Sequence, residues 1–111
     1  MTTNKPWILE SPLKQGELAI IPWTITWPWA TTVGATTTTV AVYKKGTTTD
    51  AAGTVMPDGS HTASGNSLTM KPLKLLTGGE KYIISILIDV DGIVDVYYIE
   101  VWALKSETGQ L

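Results

Sequence analysis

The chain contains no cysteine and no phenylalanine, a single histidine, and no apolar run approaching the roughly 20 residues of a membrane-spanning helix. Without thiols it can build neither disulfides nor a thiolate metal site, so a disulfide-stapled scaffold is excluded while the redox compartment stays open. Basic residues are few: eight lysines and no arginine face ten acids, and the lysines are scattered. With a net charge of −2 and a pI near 5.2, a nucleic-acid partner is not expected, because such binding normally needs a basic patch. The N-terminal MTTNKPWILESPLKQGE lacks the apolar core of a signal peptide, and no membrane association is expected.

What is present favours strands. Threonine abounds and β-branched types dominate the apolar set. A length of 111 residues fits one domain able to bury roughly two-thirds of its unfolded surface. The expectation is a soluble all-β domain spanning 17–111, preceded by an irregular lead-in over 1–16.

The segment IPWTITWPW shows period-two alternation. Ile21, Trp23, Ile25, Trp27 and Trp29 share one side, and Pro22, Thr24, Thr26 and Pro28 the other. A strand from about Glu17 to Trp27 follows, placed at a sheet edge because Pro22 and Pro28 donate no N–H. ATTTTVAVYKK reads as a second strand with Val40 and Val42 on one face. The connection GTTTDAAGTVMPDGSHTASGN is the least legible, with one or two short strands around Thr54 to Met56. NSLTMKPL adds a strand with Leu68 and Met70 on one side. EKYIISILIDV and IVDVYYIEVWAL flank Asp91-Gly92, a dipeptide suited to a type I′ hairpin turn. That register sets Ile86 opposite Tyr97, Ile84 opposite Ile99 and Tyr82 opposite Val101. Short strands with a long terminal hairpin point to a two-sheet sandwich. Leu76, Gly79 and Tyr82 have the spacing L-x-x-G-x-x-Y, which resembles the tyrosine corner of immunoglobulin-like and fibronectin-type sandwiches.

Catalytic and metal constellations are weak. Asp89, Asp91 and Asp95 lack the alternating carboxylates of a calcium loop, and the hairpin turn accounts for them. Asp58, Ser60 and His61 crowd one glycine-containing loop, where a nucleophile, base and orienting acid rarely acquire their geometry. No cofactor, metal or enzymatic activity is expected.

The tryptophans admit three readings: core and end-cap of the sandwich, protein interface, or a sugar-stacking platform of Trp23, Trp27 and Trp29. Parity also places Ile83, Leu87, Val96, Tyr98 and Trp102 on the outer face of the terminal hairpin, where polar residues are usual. Leu87 then pairs with Val96, Ser85 with Tyr98, Ile83 with Glu100 and Lys81 with Trp102. That face invites either cover by the lead-in, with Trp7 and Ile8, or docking of a protein partner.

The order of these features, from GELAIIPWTITWPW through TTTTVAVYKKGTTTD to SHTASGNSLTMKPLKLLTGGEKYIISILIDVDGIVDVYYIEVW, resembles small immunoglobulin-like proteins encoded in structural gene clusters of tailed bacteriophages and prophages. It covers about Glu17 to Trp102 and departs from the family's plain W-S turn at the two prolines beside Trp23 to Trp29. The resemblance implies an immunoglobulin-like (fibronectin III-like) sandwich and a non-enzymatic virion or assembly protein. It would make contacts in a capsid, neck or tail with itself or other virion proteins, in the virion or the host cytoplasm. The alternatives are a carbohydrate-binding or adhesion module using the tryptophan platform, and an accessory subunit of an enzyme.

Overall fold

The computed structural model describes residues 12–105, apart from the side chains of residues 35–37. In chain order the elements are β1 (Leu13–Gly16), β2 (Thr24–Thr26), β3 (Val33–Lys44), the helical turn α1 (Ala52–Val55), β4 (Thr62–Ser64), β5 (Ser67–Thr69), β6 (Lys81–Val90) and β7 (Ile93–Leu104). They form a four-stranded sheet ordered β1-β7-β6-β3 and a three-stranded sheet ordered β2-β5-β4. Ile25 and Leu68 of the smaller sheet share one buried cluster with Val42, Ile84, Ile86, Ile88, Ile99 and Val101 of the larger. The chain is an all-β, two-sheet sandwich.

Its organising element is the β6–β7 hairpin. Asp91 and Gly92 both take positive φ, 52° and 90°, as a type I′ turn requires. The turn sets Ile86 opposite Tyr97, Ile84 opposite Ile99 and Tyr82 opposite Val101, the register expected from the sequence. It is tied down from outside as well. The Asp91 carboxylate accepts the N–H groups of Thr31 and Thr32 at 2.8 to 3.1 Å, and the Asp91 N–H donates to the Thr32 carbonyl. A turn set by local chemistry thereby locks the β2–β3 connection against the hairpin.

In the smaller sheet β2 is an edge strand, as its prolines require. Ile21, Trp23 and Trp27 direct their backbone bonds inward, to Leu73, Met70 and Asn66 respectively. Pro22 falls at an alternate position, where its missing N–H would face the open edge. Pro28 has a different task. Ala30 N–H returns to the Trp27 carbonyl at 2.9 Å, so Trp27 to Ala30 is a β-turn with proline at its second position, where the fixed φ is favourable. Trp27 therefore enters the core while Trp29 is turned out.

Three expectations are corrected. The lead-in is not irregular to residue 16: Leu13–Gly16 pairs in parallel with Val101 to Leu104 of β7. The strand from Glu17 to Trp27 is broken, because Ala19 N–H turns back to the Gly16 carbonyl; pairing resumes only at the Ile21–Leu73 bridge and in β2. Strands around Thr54 to Met56 give way to α1. There Asp50 Oδ1 accepts both Ala52 N–H (2.8 Å) and Val42 N–H (3.0 Å), an Asx-type turn that starts the helical turn and ties it to β3. Val55 and Met56 are buried nonetheless. Further on, Gly65 (φ 58°) and Asn66 close the β4–β5 hairpin, which carries the inward Leu68; Met70, just beyond it, is buried too.

Two polar contacts hold the end of the sandwich opposite the Asp91 turn. Gln15, 1% exposed, donates through Nε2 to the carbonyls of Ala19 and Leu73 and accepts the Trp23 indole N–H at Oε1 (2.7 Å). One amide thus joins the edge strand, the following turn and both sheets. At the corner, Leu76 is buried, Gly79 takes φ 87°, and Thr77 N–H donates to the Tyr82 hydroxyl at 2.8 Å.

Gln15→Leu leaves the Trp23 N–H and the Ala19 carbonyl without this partner, and a loss of about 1–3 kcal/mol in chemical denaturation is expected. Tyr82→Phe removes only the hydroxyl and should cost about 0.5–1.5 kcal/mol, read from the shift of the denaturation midpoint at constant m-value.

Candidate functional site

The tryptophan segment does not form a sugar platform. Trp27 is 1% exposed and meets Tyr97 edge-on, with centroids 5.5 Å apart and planes at 82°. Trp23 is half-buried and bonded to Gln15, and only Trp29 stands out, 66% exposed. The Pro28 turn separates Trp29 from the other two rings, so three coplanar faces are not available to one saccharide. Core and end-cap is the reading that matches Trp23 and Trp27.

The outer face of the large sheet follows its expected register. Leu87 pairs with Val96, Ser85 with Tyr98, Ile83 with Glu100 and Lys81 with Trp102. Ile83, Val96, Tyr98 and Trp102 are half-buried, and Leu87 is exposed. Two lysines lie over the Trp102 ring. Lys81 lies over the Trp102 ring at 4.7 Å, and Lys14 of β1 reaches it at 5.6 Å from the other side. Such stems shield apolar surface while keeping their charge in water. Lys45 Nζ contacts Glu100 at 2.9 Å. That hydrogen bond holds the Glu100 carboxyl below its ordinary range; burial opposes the shift, and Trp102 and the charges of Lys45 and Lys81 assist it. The result is an apolar strip from Leu87 to Trp102 with a cationic border at one end. Trp7 and Ile8, the alternative cover, lie outside the described residues.

The sequence-level catalytic candidates are drawn apart. Asp58 pairs with Lys74 at 2.7 Å, whereas His61 Nδ1 accepts the Lys71 N–H at 3.1 Å. His61 is thus held as a neutral ring, its pKa lowered first by burial and then by the Lys71 charge. The hairpin aspartates serve the turn and its flanks: Asp89 accepts Gly92 N–H, Asp91 accepts the Thr31 and Thr32 N–H groups, and Asp95 accepts Val96 N–H. Among the described residues no group of three or more His, Asp or Glu side chains is placed to hold a metal. Among the same residues no helix is long and apolar enough to cross a membrane.

A cleft missed at the level of sequence lies between the 44–55 segment and the loop before β6. It has a volume of about 320 Å³, with Ala51, Val55 and Leu75 as apolar surface and Lys44 and threonine hydroxyls around them. Leu75 is 64% exposed at a φ of 59°, a conformation that bulky residues seldom adopt. Only the local sequence LKLLTGG, with consecutive leucines before a glycine pair, hints at an apolar residue left in a turn.

Two outcomes follow. Trp27→Ala should destabilise by about 3–5 kcal/mol and Trp29→Ala by less than about 1 kcal/mol in urea titration, because only the first empties core volume. For His61 the folded pKa lies below the unfolded value of 6.5, so the unfolded chain binds its proton first. Stability should therefore fall as pH drops below about 6.5, down to the lowered folded value. In His61→Asn that slope should be missing between pH 6.5 and about 5, above the carboxylate range.

Comparison of the chain with known proteins returned no matching family model, no similar curated protein and no matching solved structure. The likeness to phage structural proteins rests on the residues quoted for it.

Proposed function

We propose that this is a non-enzymatic structural or accessory protein of a phage or prophage particle, an immunoglobulin-like domain that works by protein–protein contact. One observation carries the reading. The outer face of β6–β7 presents Ile83, Leu87, Val96, Tyr98 and Trp102 where a solvated sheet face would be polar. Tyrosine and tryptophan are the residue types that anchor protein interfaces, and the lysines beside Trp102 supply a charged rim. The immunoglobulin-like assignment draws support from the sheet orders β1-β7-β6-β3 and β2-β5-β4, from the Tyr82 corner bond and from the order of sequence motifs.

Mass spectrometry of particles purified from a host carrying the gene tests the role. The chain should co-purify at a fixed ratio to the other particle proteins. A Tyr98→Asp, Trp102→Asp variant with an unchanged circular dichroism spectrum should be excluded from them. Particles that never contain the wild-type chain would remove the virion reading.

A further inference from the structure

Open sheet edges invite stray pairing, and this fold closes several of its own. Val42, on the outer edge of β3, gives its N–H to Asp50, and its carbonyl accepts the Ala51 N–H. The edge strand β2 is flanked by Pro22 and Pro28. Among the described residues β7 is the exception. β6 pairs with it from Ile93 to Trp102, whereas β1 pairs only with Val101 to Leu104. On the β1 side no described strand lies beside the stretch from Ile93 to Glu100.

Hydrogen-bond parity defines what that side offers. Ala103 bonds Glu80 and Gly79 on the β6 side, whereas the Leu104 carbonyl accepts the Glu17 N–H on the β1 side. Alternation along β7 turns the backbone of Val94, Val96, Tyr98 and Glu100 to the β1 side as well. Tyr98 is itself engaged, and the Val96 N–H is held by the Asp95 carboxylate at 2.8 Å. By the same Glu17 bond, odd-numbered residues of the N-terminal segment face β7 and even-numbered ones face away. Continued upstream from Leu13 opposite Val101, the register sets Ser11 opposite Ile99, Leu9 opposite Tyr97 and Ile8 opposite Val96. Pro6 and Pro12 both fall on even positions, where an absent N–H points outward and an edge strand loses nothing.

We propose that β7 between Val96 and Glu100 is a strand-docking site whose occupant is residues 8–12 of this chain, continuing β1 in parallel. Ser11 N–H then donates to the Tyr98 carbonyl, Glu100 N–H donates to the Ser11 carbonyl, and Leu9 N–H donates to the Val96 carbonyl. The ladder ends there because Asp95 already holds the Val96 N–H. Side chains follow the pattern of β1, where Gln15 is buried and Lys14 lies over the outer Trp102 ring. Leu9 thus turns inward beside the buried Tyr97, and Ile8 turns outward beside Val96 and its partner Leu87. The tether selects this occupant: the segment starts from a strand already in register, which gives it a high effective concentration. Ile8 also lengthens the apolar strip proposed for protein contact. That consequence rests on the contact role, whereas the strand docking does not.

Amide hydrogen exchange of the intact chain, read residue by residue by NMR, tests the pairing. The Leu9, Ser11 and Glu100 amides should be protected in the wild type. Ser11→Pro removes a donor that faces β7, and the Glu100 amide should then exchange at least about tenfold faster. Glu10→Pro removes an N–H that faces away and should leave that protection in place. A Glu100 amide that exchanges as in an unfolded peptide overturns the proposal. So does protection that survives Ser11→Pro, or equal loss in the two variants. Protection that falls on dilution, with a dimer in sedimentation velocity, overturns docking within one chain in favour of exchange between copies. Ile8→Asp should keep the protected amides yet enter purified particles at least about tenfold less than the wild type. Equal incorporation removes Ile8 from the contact face. Particles that lack the wild-type chain overturn the contact role, while the exchange data still decide the strand docking.

Discussion

The register of the β6–β7 hairpin is the constraint on which the rest of the structure depends. Side chains alternate across a sheet, so a slip of one residue would carry Ile84, Ile86, Ile88, Ile99 and Val101 out of the core and bring Ser85 and Glu100 into it. The Asp91-Gly92 turn prevents the slip because both positions hold positive φ, which few other dipeptides tolerate. The same aspartate then caps the Thr31–Thr32 backbone, so one residue sets the hairpin and orients the connection that delivers Trp27 to the core and Trp29 to the surface.

At the other end, side-chain hydrogen bonds take over from turn chemistry. Gln15 is the buried polar residue there, and it is tolerated because both its donor and its acceptor functions are engaged. Its amide gathers β1, the turn after it, Trp23 and Leu73. Glu17 performs a smaller version of the task by accepting the Gly78 N–H. A Cβ at Gly78 would lie 2.9 Å from the Lys105 Cα, a backbone atom that cannot step aside as the nearby Glu17 carboxylate can, so close approach of the backbone favours glycine here.

The surfaces proposed for contact are consequences of this division. The outer sheet face is apolar because the alternation that fills the core leaves Leu87, Val96, Tyr98 and Trp102 on the far side, and lysine stems from β1 and β6 cover part of it. The tip of the hairpin owes its acidity to aspartates that the turn and its flanks need for conformational reasons. The cleft exists because the helical turn of residues 52–55 and the corner before β6 approach each other without closing. Features that stabilise the fold thus also supply the charge and shape of its surface.

The sequence by itself determined whatever rests on period and on local turn chemistry: the all-β class, the alternating Trp23 to Trp27 face, the edge position of β2, every cross-strand pair of the hairpin and the Tyr82 corner. Each is written in neighbouring residues, so no distant contact was needed to read it. Tertiary structure decided what requires a remote partner. Leu13–Gly16 is a strand only because β7 offers it an edge, and Gln15 is a strut only because Trp23 and Leu73 converge on it. The Thr54 to Met56 segment, β-branched in part and expected as strand, coils because Asp50 bonds both Ala52 and a strand eight residues back. The tryptophans were separated by a turn whose closing bond needs the chain to reverse at Pro28, which alternation cannot express. The cleft assembles residues from 44 to 82, brought together by packing in three dimensions and by no spacing along the chain.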